Sequence, residues 1–151
     1  MKNFSLSNYQ KLLTLHFSHQ FFKMNKKVIA TAALLGATGI MLGAFGAHGL
    51  KKIVTPEAVA TFETGVRYQI YHALFLLFIG TTGLLSDKAK KAIMTLAVAG
   101  VVLFSFSIYF LACDALFSFD FKKIGFITPI GGLLLIAAWM VLFLNILRRK
   151  Q

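Results

Sequence analysis

The chain has 151 residues, 58% of them hydrophobic and 14% charged, with a formal net charge of +11. A soluble domain is closer to roughly 45–50% apolar and about 25% charged, so this balance excludes a water-soluble globular fold. The lysines and arginines gather at the ends of charge-free stretches with no aromatic-interleaved basic surface, which excludes nucleic acid as a partner, and a single cysteine, Cys113, excludes an internal disulfide and any multi-cysteine metal site.

Residues 1–23 do not read as a span, because the apolar run 12–22 is short and contains His16, Ser18, His19 and Gln20. No small-residue cleavage site follows it, so it does not read as a signal peptide either. Met24-Asn25-Lys26-Lys27 before a hydrophobic stretch resembles the start of a small membrane protein. The first 23 residues are therefore either a basic interfacial extension or a start-site misassignment, and residues 24–151 form the membrane domain.

Four spans follow, at about 28–50, 66–86, 92–113 and 124–147, each long enough for a hydrocarbon core that needs about 20 helical residues. None alternates as a barrel strand does, and open strands cannot satisfy their backbone in lipid, so the spans are helices. Short connections make them antiparallel neighbours, giving an all-α membrane protein: a four-transmembrane-helix up-down bundle. Eleven Lys and Arg residues fall on the side that holds both termini and five on the other, which places both ends in the cytoplasm of a cell (inner) membrane.

In the first span Gly36, Gly39, Gly43 and Gly46 recur at helical spacing, a pattern that lets a second backbone approach closely. The stripe fits packing against the second or fourth span, and also a homo-oligomer face. His48 follows, set among glycines, where an imidazole can bond a carbonyl, titrate or ligate a metal. In the first connection Thr55 is placed to cap a helix with Pro56 at its first position and Glu57 in its first turn.

The second span carries Glu63, Arg67, Tyr68, Gln69, Tyr71 and His72. Glu63 and Arg67 have i, i+4 spacing for a pair, as do Tyr68 and His72. Polar side chains at membrane depth need partners, so this face is expected to point inward and form a polar pocket of His48, Glu63, Arg67, Tyr68 and His72. Ser105, Ser107 and Tyr109 of the third span are possible contributors, although such serines often bond their own helix. In the fourth span Pro129 predicts a kink that frees the Gly125 carbonyl, and Gly131 and Gly132 leave room for a neighbouring helix. Two histidines on different helices could ligate a haem axially. No dedicated cofactor motif, metal-ligand spacing, phosphate loop or nucleophile–base set accompanies them, so neither a cofactor nor an enzymatic role is expected.

Four motifs in order carry a resemblance: Gly43-Ala44-Phe45-Gly46-Ala47-His48-Gly49-Leu50, the polar stretch 63–73, the serine-rich stretch 104–109 and the Thr-Pro-Ile-Gly-Gly stretch 127–133. Together they resemble the small bacterial inner-membrane proteins typified by YgdD and YwdK, over about residues 24–150. The resemblance implies a four-span bundle and leaves the biochemical role open. The chain departs from that pattern at Phe106 and Ala138, where glycine is usual. The expected function is that of a membrane protein acting through the lipid bilayer or a membrane-protein partner. The alternative is a small transporter or a ligand or proton carrier.

Overall fold

A computed structural model of the chain describes residues 10–11 and 24–148. The extension before Met24 therefore lies, apart from Gln10 and Lys11, outside the described residues. Helix α1 is Lys26–His48, α2 Pro56–Thr81 and α3 Asp87–Val101. A π-helical turn, Val102–Phe106, carries α3 into α4, Ser107–Ala112, and α5 is Ile127–Leu147. The expected spans correspond to α1, α2, the continuous α3–α4 rod and α5.

Helices α1, α2 and α3 each start where a side chain can take up an orphaned amide. Asn25 caps α1 by accepting from Val28 N at 3.2 Å, Thr55 caps α2 from Ala58 N at 3.3 Å, and Ser86 caps α3 from Ala89 N at 3.2 Å. Pro56 occupies the first turn of α2. The Glu57 carboxyl is held below the usual carboxylate range by its own backbone amide and the Thr55 hydroxyl.

Segments Lys26–Lys52, Asp87–Ala112 and Ile127–Leu147 are long and apolar enough to cross a membrane by composition alone. The 26 residues of α2 are long enough as well, at about 1.5 Å per residue, but their first half is diluted by polar groups. Large side chains such as Leu34, Ile40, Leu133 and Leu147 are at least 65% exposed. In water that would be a liability, whereas in lipid it is the solvent-facing surface.

The glycine stripe of α1 packs on α2, in antiparallel register. A methyl at Gly36 would meet Ala73, one at Gly39 would meet Ile70 and Gln69, one at Gly43 Val66, and one at Gly46 Phe62. At the far end of this seam the relation reverses, and Gly80 of α2 admits Ile29 of α1. Between α2 and the α3–α4 rod, Gly65 faces Tyr109 and the Ser105 carbonyl. Between that rod and α5, Gly100 faces Leu135, and Gly131 faces the backbone of Leu103 and Phe104 inside the π turn. Absent glycine side chains thus set every long seam, as expected where lipid offers no hydrophobic drive to associate.

Two structural details differ from the sequence reading. Pro129 does not free the Gly125 carbonyl by breaking a helix: α5 begins at Ile127, so the missing proline amide falls in the first turn, where no intrahelical acceptor exists, and Thr128 N bonds the Gly125 carbonyl at 3.3 Å. Lys90, one of the charges that mark the connection between the second and third spans, lies in α3 and is fully buried. Its ammonium donates to the Gly80 carbonyl at 3.4 Å, which also accepts from Asn25 N at 2.8 Å. The C-terminal carbonyls of α2 are thereby joined to the starts of α1 and α3, with a cation at the negative end of the helix dipole.

Candidate functional site

Two apolar clusters divide the interior. One contains Val28, Phe75, Leu76, Ile79, Ile93, Ala97 and Ala138, and the other Leu50, Phe62, Tyr109 and Ala112. Between them along α2 lies a polar layer built from Gln69, His72, Ser105 and the Tyr109 hydroxyl, and Gln69 is its hub.

Gln69 is 1% exposed, and its amide nitrogen donates to the Leu35 carbonyl and to Thr38 Oγ1 of α1, both at 2.9 Å. Its Oε1 accepts from the Tyr109 hydroxyl of α4 at 2.9 Å. Thr38 can accept because its own proton goes to the Leu34 carbonyl at 2.8 Å. Three helices are thus tied through one side chain, every donor having an acceptor.

The residues singled out from the sequence distribute differently. His72 is 5% exposed and bonds the Tyr68 carbonyl of its own helix through Nδ1 at 2.8 Å. Its Nε2 is buried without a hydrogen-bond partner, and so is the Oγ of Ser105. Ser107 bonds the Phe104 carbonyl at 2.9 Å and Thr128 of α5 at 2.7 Å, sealing the π turn against α5.

His48, Glu63, Arg67 and Tyr68 are exposed. His48 Nδ1 bonds the Ala44 carbonyl one turn back at 3.0 Å. Arg67 turns to the Thr64 hydroxyl at 3.2 Å rather than to Glu63. Tyr68 packs its ring on Phe104 at 4.6 Å. The structure therefore brings His72, Ser105 and Tyr109 into the interior with Gln69, and leaves His48, Glu63, Arg67 and Tyr68 on the outer surface.

The buried face of α2 runs Phe62, Gly65, Gln69, His72, Leu76, a three-and-four spacing that marks Gln69 as inward and Arg67 and Tyr68 as outward. That spacing is the signal that could have found Gln69. Of the two positions that depart from the family pattern, Ala138 is fully buried in the first cluster, and Phe106 is 43% exposed with its ring edge-on to Tyr109. Trp139 stacks on Phe75 at 4.1 Å, joining α5 to α2. Among the described residues no three His, Cys, Asp or Glu side chains converge as metal ligands would.

Residues 42–132, which hold Gln69, His72, Ser105 and Tyr109, match the family model described as "Protein of unknown function (DUF423)". The chain belongs to the DUF423 family. Its relatives in that family carry the name UPF0382 membrane protein. One from Haemophilus influenzae is 35% identical over 128 residues, covering 85% of this chain and 99% of the relative. YwdK of Bacillus subtilis is 35% identical over 122 residues, covering 78% and 93%. YgdD of Escherichia coli, described as an inner membrane protein, is 34% identical over 122 residues, covering 80% and 88%. No solved structure matches the chain. The DUF423 chain is thus an all-helical protein embedded in a lipid bilayer.

Proposed function

We propose that this protein is a non-enzymatic, multi-pass protein of the inner membrane that acts through contacts with lipid and with neighbouring membrane proteins, its polar layer serving to hold the helices in register. The observation that carries this reading is the Gln69 hub, whose amide is fully engaged by α1 and α4. Further support comes from the titratable candidates His48, Glu63 and Arg67, which lie on the exposed surface rather than around one cavity. The excess of Lys and Arg at the end that holds Lys26 and Arg148 supports cytoplasmic termini, and the printed description of YgdD supports the inner membrane.

A second reading, a small carrier of protons or of a polar ligand, is favoured by the unpartnered His72 Nε2 and Ser105 Oγ. Proteoliposomes loaded with a pH-sensitive dye separate the two. Under the contact reading the protein passes no protons above empty vesicles, and His72→Leu changes its stability by less than about 1 kcal/mol, because it removes a buried Nε2 that has no partner along with one bond within α2. Proton flux that His72→Leu abolishes while the protein stays folded would establish the carrier instead.

A further inference from the structure

An apolar groove of about 550 Å³ lies between α1 and α3 and runs onto the π turn. Its lining includes Thr31 of α1, Met94, Thr95, Val98 and Ala99 of α3, and Val102 of the π turn. The Thr31 hydroxyl approaches Met94 Sδ at 3.7 Å. The hydroxyls that line the groove present no free proton to a ligand: Thr31 bonds the Lys27 carbonyl at 2.9 Å and Thr95 the Lys91 carbonyl at 3.0 Å. Those bonds also fix the register of the rim. Lys27 stands one helical turn above Thr31 and Lys91 one turn above Thr95, about 5.4 Å toward the membrane surface, and both are exposed.

We infer that this groove binds an anionic phospholipid of the surrounding bilayer, one acyl chain lying along Met94, Val98 and Val102 and the phosphate resting between Lys27 and Lys91. Charge complementarity selects the occupant. A neutral apolar helix would fill the groove but leave both ammonium groups unanswered, whereas a phospholipid carries its anion at the depth where the lysines stand. Lysine stems reach along apolar surface while keeping their heads in the interface, which suits this geometry. Asp87 lies one further turn out on the Lys91 side, and with Lys26 and Lys88 also at this end the rim keeps a net positive charge. The inference rests on the contact reading above and names lipid as one of its contacts.

Native mass spectrometry of the full chain, taken from vesicles of equal phosphatidylcholine and phosphatidylglycerol, tests it. The wild type should retain phosphatidylglycerol in preference to phosphatidylcholine. Lys27→Gln with Lys91→Gln should lower that adduct about 25-fold, since each lysine near an anionic surface contributes on the order of a factor of five. Removing the same charge at the opposite end, by Lys51→Gln with Lys52→Gln, should leave it intact. Ala99→Phe, which fills the groove and spares both lysines, should also remove the adduct, with melting temperatures confirming that every variant is folded. No preference in the wild type, or equal retention in the Lys27/Lys91 variant, or equal loss in the Lys51/Lys52 variant, overturns the site. Those results leave the contact reading standing, because that reading is tested by proton flux in the vesicle assay and by the coupling of Gln69 to Tyr109, neither of which depends on the groove.

Discussion

Gly131→Val should destabilise the protein by about 3 kcal/mol, at the upper end of the range for overpacking. The reason lies in what the new side chain would meet. At most glycines of this protein a Cβ would press on side-chain tips, such as Ile70 Cδ1 beside Gly39, which can rotate aside. At Gly131 it would meet backbone: the Phe104 amide nitrogen, the Leu103 carbonyl carbon at 2.7 Å and the Phe104 Cα at 2.8 Å. Backbone inside a π turn can yield only by rebuilding the turn or by moving α5 outward. Either response also strains the Ser107–Thr128 hydrogen bond at the start of α5. Gly132, one residue along, has only the Phe104 ring at 3.6 Å and beyond, so Gly132→Ala should cost less than about 1 kcal/mol by the same argument. Urea or detergent titration of the two variants, followed by circular dichroism, checks the contrast.

Gln69→Leu should destabilise by about 2 kcal/mol, although it makes the core more apolar. Interhelical hydrogen bonds within membranes contribute about 0.6 kcal/mol each on average and up to about 1.7, and Gln69 makes three of them. The Leu35 carbonyl and Thr38 hydroxyl retain bonds within α1. The Tyr109 hydroxyl has no second partner, so most of the cost is the desolvation of that one group. Tyr109→Phe should cost less than Gln69→Leu, because it leaves the Gln69 amide nitrogen bonded to α1.

The spans were legible because the bilayer tolerates few charges, and Lys, Arg and Asp therefore bracket each helix. The Thr55-Pro56-Glu57 start was legible because capping depends on residues adjacent in sequence. Which polar residues of α2 point inward was harder to read. Residues 67–72 carry polar groups most of the way round the helix, and inward direction is set by neighbours distant in sequence, here the α1 glycines and Tyr109. Glu63 and Arg67 have the spacing of a pair, but at the exposed surface such a pair gains little and the side chains go elsewhere. The kink expected at Pro129 rested on a charge-free run that extends back to Ile124, whereas the helix starts three residues later, where Gly125 and Phe126 end the connection. The burial of Lys90 is not legible in the sequence, because nothing local shows that the end of α2 offers carbonyls to a buried ammonium. The aromatic cluster that orders the last connection, with Phe110 and Phe119 each 5.1 Å from Phe121, likewise depends on a backbone bend that begins at Asp114.

The central claim is that the polar layer holds helices together, and a double-mutant cycle on Gln69→Leu and Tyr109→Phe, measured by reversible unfolding in lipid bicelles, tests it most directly. The hydrogen bond between Oε1 and the phenol predicts that the double variant loses less stability than the two single losses combined, with a coupling of about 1 kcal/mol. Strictly additive losses would mean that the two side chains do not act on each other in the membrane, and would contradict the clasp.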